Sequence, residues 1–157
     1  QQASCVVLLA SFAAFVPEGR DGRSLRAALR AMEQRLSAGE TTAMLRDFFR
    51  QAAAPYPPSA LPPGPLEQGI DGPGLERLQQ DLRQLGQTAG LPEGFPQAAR
   101  LLIVEAADDQ IVHPSSRAAL RSALPDAELW TLERAGHCLL NAILPERVLA
   151  WIADGQG

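Results

Sequence analysis

The sequence contains no lysine. All 14 of its basic residues are arginines, a bias that reads as the codon usage of a GC-rich genome rather than as chemistry. Against 18 acidic residues they leave a formal net charge of −4. No nucleic-acid partner is therefore expected, because there is no overall basic field to neutralise phosphates. Cysteine occurs only twice, as Cys5 and Cys138, far from any C-x2-C metal-ligand spacing. Both are expected to be reduced thiols in a cytoplasmic protein. No apolar run is long enough to span a bilayer, and the apolar start "QQASCVVLLASF" lacks the basic n-region of a secretory leader. No membrane association, metal or cofactor is expected, and no internal repeat is visible. Residue 1 is Gln, not Met, so the chain is expected to have been processed, trimmed or cut from something longer.

What is present fits one packed domain. The 157 residues are 46% hydrophobic and 20% charged, ordinary values for a globular protein. "CVVLLASF", residues 5–12, is a continuous apolar run that reads as a buried strand of a parallel sheet. After the breaker "VPEGRDG", Leu25, Ala28, Leu29, Met32 and Leu36 recur at helical spacing from Arg23 onward. Gly39 ends that helix, and Thr41 or Thr42 can cap a second one through about Ala53. Met32 and Met44 fall on apolar faces and are expected in the core. Residues 54–74 hold seven prolines and four glycines and are expected to contain no helix. A third helix is expected over 75–85, a strand over 100–106, a helix over 115–123, a strand over 127–132 and a last helix from Pro145 to Asp154. Trp130 and Trp151 read as packing residues. Strands alternating with helices imply an α/β fold, a parallel sheet covered on both faces. The long insertion after the first strand is placed to form a lid. The segments expected are a core strand and loop (1–20), a helical cap with a Pro-rich loop (21–98), and core strands and helices (99–157).

Ligands bind beyond the carboxyl ends of the strands in such sheets. Asp109 follows "LLIVE" by four residues and His137 follows "LWTL" by five, which puts both on one rim. A carboxylate there can accept the Nδ1 proton of the imidazole and leave its Nε2 to take a proton from a hydroxyl. Asp109 alone would read as a capping residue and His137 alone as a loop histidine. Their matched placement favours catalysis. His113, before Pro114, reads as a solvent-facing loop residue.

"LLIVEAADDQIVHP" and "LERAGHCLL" resemble the acid and histidine segments of α/β-hydrolases, in which the catalytic order is nucleophile, acid, histidine. The resemblance places the acid at Asp109 rather than Asp108 and the base at His137. The fold it implies is the carboxyl-terminal part of an α/β-hydrolase with a helical cap insertion. Within that superfamily the chain resembles the pimeloyl-[acyl-carrier-protein] methyl ester esterases of biotin synthesis, through "CVVLLASFAAFVPEG" and "GLERLQQDLRQL". It departs from the superfamily pattern in three places. Ala106 stands where the acid motif opens with glycine, the usual proline is shifted behind His113, and the segment between His137 and Pro145 is one residue longer. None of these removes a catalytic group.

The nucleophile elbow G-x-S-x-G does not occur in these 157 residues. Ser4, Ser11, Ser24 and Cys5 lie outside any such turn, and Cys138 is expected to point away if His137 faces the site. The resemblance implies a nucleophilic serine before Gln1, with the rest of the sheet supplied by a missing amino-terminal half or by another copy of the chain. The implied activity is a carboxylic-ester hydrolase acting on a small acyl ester, with an acyl carrier protein as the expected partner. Between residues 20 and 50 there are seven arginines and four acids, and Arg23, Arg26 and Arg30 share one helical face. They could hold an acidic partner or merely form a solvated surface. Two other readings stay open: a non-catalytic binding module of hydrolase fold, and another hydrolase chemistry (lactonase, haloperoxidase-like or C–C bond hydrolase).

Overall fold

Residues 3–155 are described by the structure, a computed structural model; the side chains of Pro65 and Leu66 lie outside that description. Three strands, β1 (Cys5–Leu9), β2 (Arg100–Ala106) and β3 (Glu128–Leu132), form a parallel sheet in the order β1-β2-β3. Val7 pairs with Leu102, and Val104 with Trp130. The central strand is buried from Leu101 to Ala106, and its side chains alternate between two cores as the pleat requires. Leu102, Val104 and Ala106 pack with Leu144 and Trp151 of the last helix, α6 (Leu144–Asp154). Leu101 and Ile103 pack on the other face with Leu120 of α5 (Pro114–Ala123) and with Leu124 just after it. Buried Glu105 shares that second face, where both of its oxygens accept from Arg121, at 2.9 and 2.6 Å. A carboxylate can lie this deep because a guanidinium answers it.

β1 stops at Leu9, short of the expected residue 12. Ala10 takes a positive φ of 43°, which turns the chain off the sheet even though its N–H still reaches Val104 O at 2.9 Å. Among the described residues no strand pairs with the outer edge of β1, and Leu9 is half exposed there.

The insertion between β1 and β2 carries four helices: α1 (Gly19–Ser37), α2 (Thr41–Ala53), α3 (Pro65–Gln68) and α4 (Gly72–Gln87). Leu29 and Leu36 of α1, Met44 and Leu45 of α2, and Leu82 of α4 form its core, with Phe15 from the loop after β1. Met32 packs against this cluster as expected. Two boundaries differ from the periodicity. α1 starts at Gly19 rather than Arg23, and Gly22 is needed there because a Cβ would run into the Pro17 carbonyl. The Pro-rich stretch was expected to hold no helix, yet it holds a 3-10 turn at Pro58–Ala60, α3, and the start of α4. Prolines in the first helical turn break nothing, since those N–H groups have no intrahelical acceptor. Asp71 caps α4 by accepting from Gly74 N at 2.8 Å.

Candidate active site

The chain leaves β2 through Ala107 and Asp108, whose N–H groups donate to Leu132 O and Ala135 O at 3.0 Å each. These bonds tie the end of β2 to the loop after β3. They leave Asp108 exposed and turn Asp109 inward, where its side chain is fully buried. Oδ1 of Asp109 accepts from Ile111 N at 2.7 Å and from Val112 N at 3.0 Å. Oδ2 lies 3.1 Å from Nδ1 of His137. Burial pushes the carboxyl pKa up, but the hydrogen bond to His137 and the two backbone N–H groups outweigh it. Asp109 is held below the ordinary carboxylate range and is ionised at neutral pH.

With Nδ1–H donating to that carboxylate, the tautomer of His137 is fixed and Nε2 carries the lone pair. No hydrogen bond to Nε2 occurs among the described residues. His137 lines an open cleft of ≈ 530 Å³ bordered by Leu9 to Phe12, Cys138, Leu139 and Leu144. It lies beyond the carboxyl end of β1, on the rim that the strand ends define.

The histidine loop is seated on the helical insertion. Cys138 N donates to Ala52 O at 3.1 Å, and Gly136 lies so close to the end of α2 that a Cβ would meet Ala54 O. Only glycine permits this approach. The Gly-His pair was legible in the sequence, but its seat was not, because alanine carbonyls at a helix end have no sequence signature. Leu139, at φ 49°, closes the turn with its N–H on Gly136 O at 2.9 Å.

The other expected residues fall as follows. Cys138 does not point away. It lines the same cleft as His137. Burial and the nearby Asp109 charge push its thiol pKa up. Ser11 also borders the cleft, with its hydroxyl donating to Leu9 O at 3.1 Å; Ser4 and Ser24 are exposed. His113 is not a free loop side chain. It caps α5, its Nδ1 accepting from Ser115 N at 3.2 Å, and its Nε2 lies 3.9 Å from Asp21 of α1. Arg23, Arg26 and Arg30 are exposed on α1. Arg26 and Arg30 border a groove with Arg83 of α4, and Arg23 does not. Trp151 is buried, and Trp130 packs beside it against the α6 face of the sheet. The described residues contain no cluster of potential metal ligands and no helix long and apolar enough to cross a membrane.

No family model matches the sequence, and no curated protein matches it. Solved structures do. The α/β-hydrolase MGS-M2 from a Medee basin deep-sea metagenome library superposes with a TM-score of 0.66 at 16% identity, covering 96% of this chain and 55% of that one. The esterase EaEST from Exiguobacterium antarcticum gives 0.52 at 18% identity, over 98% of this chain and 57% of its own. The 2-hydroxy-6-oxo-6-phenylhexa-2,4-dienoate hydrolase of Rhodococcus sp. strain RHA1 gives 0.50 at 18%, over 97% and 54%. The chain has the fold of an α/β-hydrolase, and it spans little more than half the length of these structures.

Proposed function

We propose that this chain supplies the general base, His137, and its orienting acid, Asp109, to a serine carboxylic-ester hydrolase. The nucleophile and oxyanion hole then lie on a segment preceding these residues, the chain forming the carboxyl-terminal part of the enzyme. The observation that carries this reading is the 3.1 Å contact between buried Asp109 and His137 Nδ1, with His137 lining an open cleft and no hydrogen bond to its Nε2 among the described residues. A serine hydroxyl delivered to that cleft would pass its proton to Nε2 as it attacks the ester carbonyl, and Nε2 would give that proton to the departing alcohol. A water deprotonated in turn by Nε2 would release the acid while the serine regains its proton from the imidazolium. Asp109 would stabilise the imidazolium throughout without taking the proton. Among ester hydrolases we favour a pimeloyl-[acyl-carrier-protein] methyl ester esterase of biotin synthesis, acting in the cytoplasm. The two free thiols agree with a reducing compartment.

A serine-directed phosphonate tests the reading. In the complete protein it should label one serine outside these 157 residues, and labelling should vanish in His137→Ala. Stoichiometric labelling of Ser11, which borders the same cleft, would overturn the placement of the nucleophile.

In the same reading, residues 21–98 serve as the cap and Arg23, Arg26 and Arg30 attract an acidic acyl carrier protein. All three are exposed, and Arg26 and Arg30 meet Arg83 across a groove. Reversing Arg23 and Arg26 to Glu should weaken turnover of carrier-linked esters at least tenfold more than that of free esters. Equal effects on both substrates would remove the carrier protein from the proposal.

A further inference from the structure

A second cavity adjoins the first. It measures ≈ 660 Å³ and lies between α2 and the Pro-rich loop, within the size range of small-molecule sites. Phe49, Leu61, Pro62, Pro63 and Leu140 make its walls, and Cys138 closes it on the side of the histidine loop. Among the described residues the one carboxylate on its lining, Glu67, already accepts from Gly64 N at 2.8 Å. Cys138 is the single residue common to this cavity and the His137 cleft. One cavity is thus lined by His137, the proposed base. The other holds apolar surface that water covers poorly, and a half-buried thiol is the wall between them.

We propose that Cys138 sets the passage between the catalytic cleft and an apolar specificity pocket, and that the substrate is a neutral ester whose unbranched alkyl arm lies between α2 and the Pro-rich loop. This deepens the hydrolase reading and rests on it for the position of the scissile bond. A cysteine suits the position on volume. It is small enough to leave the passage open, and its neutral thiol forms an apolar wall. An arm running past it gains burial against Phe49, Leu61 and Leu140 with each added methylene. An arm ending in a carboxylate would have to desolvate that charge beside prolines and Glu67, with no cation among the described residues of the lining to receive it.

The test uses the complete protein and reads the ratio of kcat/KM for methyl decanoate to that for methyl acetate. Cys138→Phe fills the passage, and the ratio should fall at least tenfold, whereas Cys138→Ser should hold it within about twofold. Leu61→Asp, on the far wall and away from the cleft, should lower the ratio as Cys138→Phe does, which guards against local misfolding at the histidine loop. Unchanged ratios in both Cys138→Phe and Leu61→Asp would overturn the proposal. A second measurement needs no turnover. The ketone 2-undecanone should slow iodoacetamide alkylation of Cys138 at alkaline pH at least fivefold while leaving Cys5 unaffected, and acetone should not. Absence of protection would overturn the pocket. Protection in a protein that hydrolyses neither ester would keep the pocket and reject the hydrolase reading.

Discussion

Two aspartates in this molecule make side-chain contacts of the same length and differ in almost everything else. Asp109, on the sheet rim, meets His137 at 3.1 Å with its side chain fully buried. Asp47, on α2 of the lid, meets Arg35 and Arg50, each at 3.1 Å, with its side chain 44% exposed. Both carboxyls are held below their ordinary pKa, but for different reasons. At Asp109 burial opposes ionisation and is overcome by His137 and two backbone N–H groups. At Asp47 the hydrogen bond from Arg35 leads and burial opposes it. Distance therefore does not distinguish a buried pair from a surface pair. What distinguishes them is how much water each has given up and how many fixed donors replace it. The rim is desolvated at the Asp109–His137 contact. The helical insertion is solvated and charged around Asp47.

The largest expected effect breaks the comparison at its buried end. Asp109→Asn keeps the shape but presents an amide that can force the other tautomer on His137. Turnover of the complete enzyme should fall on the order of 10⁴-fold, the scale set by a comparable substitution in a serine protease triad. An acyl-ester kcat within tenfold of the parent would remove Asp109 from the mechanism. Stability should respond with a defined sign in pH. Because the native pKa of Asp109 lies below its unfolded value of about 3.9, its contribution is fully present above that value and is lost as pH falls through the native pKa. The unfolding free energies of parent and Asp109→Asn should therefore converge below about pH 4. A gap that stays constant from pH 7 to pH 2 would rule out the linkage.

The same contrast explains what could be read before folding. Asp109 and His137 were legible because strands announce themselves by apolar runs, and position relative to a strand end is a local property. β2 and β3 fell within a residue of expectation for that reason. The turn after Cys138 could not be read because Leu139 adopts a positive φ, which leucine gives no cause to expect. The seat of the histidine loop, Ala52 O and Ala54 O, joins residues more than eighty positions apart and involves no side-chain chemistry. In the lid, Pro73 and Gly72 read as breakers, yet they open α4 behind the Asp71 cap. A breaker and a helix start use the same residues, and only the packing of Leu75, Leu78 and Leu82 on the lid core decides between them. The Ala106 departure from the superfamily's glycine is tolerated: Ala106 is fully buried, and its carbonyl accepts from Arg117 at 2.6 Å.

The smallest expected effect sharpens the comparison at its exposed end. Asp47→Asn removes the charge that two arginines share, yet neither guanidinium is stranded. Arg35 still has Glu40 at 3.2 Å, and Arg50 is 62% exposed to water. The lid's apolar seam, Met44 and Leu45 against Leu29, Leu36 and Leu82, is untouched. At 150 mM salt, where the Debye length is about 8 Å, the thermal midpoint of Asp47→Asn should be indistinguishable from the parent. A shift should emerge only when the salt is lowered, since screening acts on exposed pairs and scarcely on buried ones. Asp109→Ala is the matched control. It orphans the Ile111 and Val112 N–H groups in a buried turn, at about 1–3 kcal/mol for each donor left unpaired, and its loss should persist at every salt concentration. If Asp47→Asn lowered the midpoint as far as Asp109→Ala, and did so independently of salt, the division between a solvated lid and a desolvated rim would be wrong.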